Sequence, residues 1–195
     1  LIRAAAEGKG DEPPQTVLAM LQARIGRLEL GARRILRAAS VFGETCWAGG
    51  VGSVLAVDTA EAARWMQHLI QHELLEEKRE CRFIGEAEYR FRHALMRDAS
   101  YSLLSDEDRM LGHRLAAGFL ERVGEAAAVL AYHYWEAGEY RPALRWYVQA
   151  GQSAVQFSQY SEARSHYAAA SKALEQLPDT PEHRQTHVDV LIKQV

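Results

Sequence analysis

Two cysteines in 195 residues, Cys46 and Cys81, are too few and too far apart for a disulfide framework or a zinc site. Their usage fits a reducing cytoplasm, and both are expected to act as small, partly buried packing groups. An excess of positive charge is also missing. The formal net charge is −3, so no global field gathers polyanions, and nucleic acid is disfavoured as a partner. No apolar run reaches the roughly eighteen residues that would mark a membrane span. The opening "LIRAAAEGKGDEPP" lacks an initiator Met and the apolar core and cleavage site of a signal peptide. It reads as part of a longer protein.

Catalytic signatures are missing too. "GGVGS" (Gly49 to Ser53) has the glycines of a phosphate loop, but no lysine follows to neutralise phosphate and no apolar strand precedes it. Close helix packing is the expected use of those glycines. His68 and His72 stand one helical turn apart, as do His183 and His187, yet neither pair has a third ligand or an intervening glutamate. No carboxylate pair lies in an apolar setting, and no nucleophile elbow occurs. The sequence therefore assigns no catalytic, cofactor-binding or metal-ligating residue, and the segment is expected not to be an enzyme.

What is present is helical rhythm. After the linker "GKGDEPPQ", Val17, Leu18, Leu21, Ile25 and Leu28 form one stripe. "ELGARRILRAASVF" predicts a second helix with Gly43 as its stop. "WAGGVGSVLAV" predicts a short third helix, and Asp58 or Thr59 can cap the next, with Trp65, Met66, Leu69 and Ile70 on its apolar face. A strand around Phe83, a turn near Gly85 and a strand from Tyr89 to Arg92 follow. Helices succeeded by a two-stranded hairpin give the winged-helix order. Tyr89 and Phe91 are expected to point inward. Arg90 and Arg92 are expected to point outward, available to acids on another part of the protein.

From Ala94 onward the pattern is helical throughout. Ser105 can cap a helix whose buried side carries Leu111, Leu115 and Phe119. Helices at about 126–137, 140–156 and 160–177 follow, with another after Pro181. Tyr140, Ala143, Tyr147 and Ala150 recur as Tyr160, Ala163, Tyr167 and Ala170, a shift of twenty residues that signals stacked units. "GEYRPA" resembles the inter-helix turn of tetratricopeptide repeats through Gly138, Tyr140 and Ala143, with Leu130, Ala131 and Tyr134 at the motif's buried first-helix places. The expected fold is mainly α. It comprises a linker with the end of a preceding domain (1–14), a winged-helix-like module (15–104) and an irregular tetratricopeptide-like array (105–195).

Three longer stretches carry a wider resemblance. "PQTVLAMLQARIGRLELGARRILRAASVFGETCW", "YRFRHALMRDASYSLLSDEDRMLGHRLAAGFLE" and "LPDTPEHR" resemble the region downstream of the nucleotide-binding core in bacterial STAND-type signalling ATPases. The resemblance implies a regulatory, protein-contacting segment, with Leu1 to Ala6 as the tail of an ATPase lid. ATP and magnesium would belong to an upstream core, and kinase, cyclase or DNA-binding outputs to other domains. On the repeat geometry, Tyr132, Trp135 and Glu136 would face a partner groove, with packing of Trp135 on the next helix as the alternative. The competing reading is a DNA-binding transcription regulator. The expected recognition helix, Thr59 to His72, carries only Arg64 and Glu61 as formal charges, and the hairpin mixes its arginines with six glutamates.

Overall fold

The computed structural model describes residues 15–178 and 180, a mainly helical chain with one small antiparallel sheet. The stripe after the prolines forms α1 (Gln15–Gly26), which buries Ile25 and half-buries Leu18 and Leu21. In α2 (Leu30–Val41), Ala32, Ile35, Leu36 and Ala39 are buried at i, i+3, i+4 and i+7, one face of the helix. The helix stops as expected at Gly43, whose φ of 103° suits a residue without Cβ.

The expected short helix is present, preceded by a strand that the sequence pattern does not indicate. Thr45–Trp47 form a strand, β1, and α3 (Ala48–Leu55) begins only after it. The glycines of "GGVGS" serve contact. A Cβ on Gly49 would lie 2.6 Å from the Glu86 carboxylate, and one on Gly50 would lie 2.9 Å from the Phe42 ring. Asp58 caps α4 (Thr59–Gln71), its Oδ1 accepting from the Glu61 N–H at 2.6 Å.

The sheet is completed by β2 (Leu75–Glu77) and β3 (Glu88–Phe91), in the order β1-β3-β2. Two corrections follow. The sheet has three strands, and the partner expected around Phe83 is Leu75–Glu77 instead. Register explains the choice: Leu75 opposes Phe91 and Glu76 opposes Arg90, so an apolar pair and an opposite-charge pair fall on opposite faces. Tyr89 and Phe91 enter the core with Cys46 and Leu75, while Arg90 stays outside, as the alternation predicts. Cys46 is fully buried and Cys81 exposed; both are free.

Beyond the sheet come α5 (Ala94–Ser102), α6 (Asp106–Arg122), α7 (Ala127–Glu136), α8 (Tyr140–Gln156) and α9 (Tyr160–Glu175). Ser105 caps α6, its Oγ accepting from the Asp108 N–H at 3.1 Å. Leu111 is 45% exposed rather than buried, because α6 turns Gly112, Ala116 and Phe119 inward. At Gly112 the approach to α2 is tight, a Cβ there meeting Val41 at 3.1 Å. Successive helices α6 to α9 pack on their neighbours, and the Tyr167 ring covers Gly151, where a Cβ would sit 2.6 Å from it. The repeated positions are not equivalent, since Tyr140 meets Trp135 while Tyr160 is exposed. The helix expected after Pro181 lies outside the described residues, as do residues 1–14 and the 183/187 histidine pair. No described helix is long and apolar enough to cross a membrane.

An aromatic seam joins the sheet to the array. Trp47 lies 4.9 Å from Phe83 and 6.1 Å from Phe42 between ring centroids, and Phe42 meets Phe119 edge-on at 6.1 Å. Leu120 and Leu130 complete this cluster. Alongside it, Arg82 pairs at 2.6 Å with Glu125, a carboxylate only 1% exposed at the α6–α7 turn.

Glu88 holds the seam's loop in place. Its buried carboxylate accepts from the Trp47 indole N–H at 3.3 Å, from the Arg82 backbone N–H at 2.7 Å and from the Lys78 ammonium. Burial alone would raise its pKa, but the bonds from Lys78, Arg82 and Trp47 outweigh that, and the pKa is lowered. Removing one partner of a buried ionic group typically costs about 3–5 kcal/mol. Because Lys78 is half-exposed, Glu88→Ala should lose about 2–4 kcal/mol by urea denaturation. A loss below about 0.5 kcal/mol would show that the carboxylate does not organise this loop.

Candidate interaction face and the polar chain beneath it

Helix α7 has two faces with different uses. Leu130 and Ala131 are buried, while Tyr132 is 43% exposed and Glu136, one turn further on, is half-buried. Tyr132 and Glu136 therefore share a surface, as the i, i+4 spacing requires. Tyr101 from α5 and Tyr147 from α8 converge on the same region. Burial pushes the Tyr132 hydroxyl pKa up, and the Glu136 carboxylate pushes it further. Tyr147 is raised by burial, then by Glu136 and Tyr132. For Tyr101 the causes are burial, Tyr132 and Glu136, partly offset by Arg109 and Arg97.

Trp135 stands apart. Its ring lies 5.3 Å from Tyr140 at a 67° angle, across the α7–α8 turn, so it packs on the following helix while Tyr132 and Glu136 face the tyrosines. Arg90 and Arg92 are also remote from this surface. Arg90 pairs with Glu76 across the sheet, its Nε at 2.8 Å, and Arg92 reaches Glu73 at 3.3 Å. Both arginines are exposed, but their charges are taken by acids of their own half of the molecule.

Beneath Tyr132 runs a hydrogen-bonded chain that the sequence reading did not single out. Tyr101 Oη lies 2.8 Å from His113 Nε2, and His113 Nδ1 lies 3.0 Å from His133 Nδ1. One contiguous chain thus links α5, α6 and α7. Tyr132 closes over it, edge-on at 5.6 Å to His113 and 5.4 Å to His133. The Arg97 and Arg109 guanidiniums each lie 5.1 Å from the Tyr101 ring, within cation–π range. The sequence carries no local signal for them, because His113 and His133 meet only through the packing of α6 on α7.

Both imidazoles are buried and neutral. Burial, and then Arg97, lowers the His113 pKa to about 4. Burial, followed by His113 and Arg97, lowers that of His133 to about 3. A neutral pair suits the geometry, because a short Nδ1···Nδ1 contact needs one donor and one acceptor. The arrangement ties α5, α6 and α7 together. Among the described residues, no group of three or more His, Cys, Asp or Glu side chains could hold a metal ion. His68 and His72, 4.5 Å apart between ring centroids, remain a pair.

Comparisons with protein-family models, with curated proteins and with solved structures find no match to this chain.

The two histidines fix how stability depends on pH. Unfolded imidazoles titrate near 6.5 and these folded ones near 4 and 3, so the unfolded chain binds more protons in between. Stability should be full above about pH 6.5 and fall by several kcal/mol on the way to about pH 4. Urea midpoints measured across that window should show a slope that His133→Asn flattens. An unchanged slope in the variant would remove the pair from the acid response.

Proposed function

We propose that this chain is a non-catalytic regulatory and protein-interaction segment of a larger STAND-type signalling ATPase. Its role is to couple partner or inducer sensing to a nucleotide-binding core outside these residues. ATP and magnesium would bind that core. The observation that carries this reading is the seam. Trp47 and Phe83 of the sheet-bearing half share one aromatic cluster with Phe119, Leu120 and Leu130 of the array, and Arg82–Glu125 ties the same junction. A force on the array therefore reaches the sheet through close packing rather than through a slack linker.

The element order α2, β1, α3, α4, β2, β3 supports the winged-helix reading of the first half. Helices packed on their neighbours, with alanines and Gly151 at the contacts, support the tetratricopeptide-like reading of the second. Tyr132 and Glu136, with Tyr101 and Tyr147 around them, offer the partner an aromatic anchor and a carboxylate. The DNA-binding alternative has weaker support. Lys78, Arg90 and Arg92 are paired with Glu88, Glu76 and Glu73, so the hairpin has little free positive charge for a phosphate backbone. The exposed Arg90 and Arg92 pairs are each worth about 0–1 kcal/mol, weak enough to be exchanged for acids on another protein.

ATP hydrolysis by the parent ATPase tests the reading. Tyr132→Ala combined with Glu136→Lys should change the response of that hydrolysis to its partner or inducer by at least about tenfold in half-maximal concentration. A response identical to wild type, or hydrolysis by the isolated 195-residue chain, would overturn it.

A further inference from the structure

A cavity of about 250 Å³ opens between α2, α3 and the start of α6, apart from the tyrosine-lined face. Its walls are mixed. Val54 and Leu55 from α3 and Leu104 from the α5–α6 turn make one side apolar, and half-exposed Leu111 extends that surface outward. Arg34 and Arg37, one turn apart on α2, add two positively charged side chains to the same lining. Arg37 spends one N–H on the Leu103 carbonyl, which ends α5. Its Nε is buried and has no acceptor among the described residues. Asp108 is the acid in the lining. Two positive charges against one negative leave a net charge of +1.

We propose that this cavity binds a small amphipathic monoanion: a carboxylate directed at Arg34 and Arg37, on a short apolar body lying against Val54, Leu55 and Leu104. Each element of the ligand follows from the lining. Planar guanidiniums favour a carboxylate through charge-assisted, bidentate hydrogen bonds. The apolar wall asks for hydrocarbon, and a volume below the ~300–1,000 Å³ of drug-sized sites limits it to a few carbons. Asp108 repels a second negative charge, so dianions are excluded. The location gives the ligand a purpose. It touches α2 and α3 of the sheet-bearing half and α6 at once, so a bound molecule would add to the packing between them.

A titration of the ¹⁵N-labelled chain with four probes sharing one hydrocarbon body tests this: hexanoate, hexanol, hexylamine and adipate. Hexanoate should shift the amides of Arg37, Val54 and Asp108 saturably, with Kd at least about tenfold below that of hexanol. Hexylamine and adipate should leave them in place. Arg34→Gln, at an exposed position, should weaken hexanoate about tenfold or more, and Asp108→Asn should admit adipate. Equal binding of hexanol and hexanoate, an unaltered Kd in Arg34→Gln, or shifts that never saturate would each overturn the assignment.

Discussion

One buried carboxylate organises the junction on which the rest of the molecule depends. Glu88 sits at the end of the central strand, and its ligands are an indole, a backbone amide and an ammonium, all drawn from the β1 strand and the loop between β2 and β3. Fixing those groups fixes the loop. The loop then lays Phe83 on Trp47 and aims Arg82 at Glu125, so that the sheet meets the α6–α7 turn through contacts with little freedom. A charge placed inside a protein is costly unless every oxygen is answered. Here the answers come from the segments that most need holding.

The polar chain from Tyr101 through His113 to His133 does for three helices what Glu88 does for the sheet. Both devices bury groups that water would otherwise solvate, and both derive specificity from a demand for particular partners. They differ in how they meet acid. Glu88 is protected by a lowered pKa, whereas the histidines carry theirs low only because charging them inside would be worse.

Much of this was readable in the chain, and the reasons divide cleanly. Helices with sustained periodicity, such as Leu30–Val41 and Tyr140–Gln156, and caps such as Asp58 and Ser105 were legible because local chemistry decides them. The alternation at Tyr89, Arg90 and Phe91 gave the correct faces for the same reason. Strand β1 was invisible: three residues flanked by Glu44 and Ala48 acquire strand geometry from a partner some forty positions away. Phe83 was misread as strand because its burial comes from Trp47 and not from a ladder. Of the candidate surface residues, Tyr132 and Glu136 share a face, and Trp135 packs on Tyr140. The histidine chain and the Arg82–Glu125 pair needed the fold, since each forms between elements whose proximity no local pattern encodes.

Helices α7 to α9 contact chiefly their neighbours in sequence, and α6 alone among α6 to α9 also packs on α2 and α3. Such an arrangement is close to one-dimensional, and its cohesion accumulates pair by pair. A disturbance entering at α9 must traverse α8 and α7 before α6 can register it, whereas one entering beside α6 arrives at once. Amide protection along these helices should accordingly form a gradient, highest at α6 and lowest at α9.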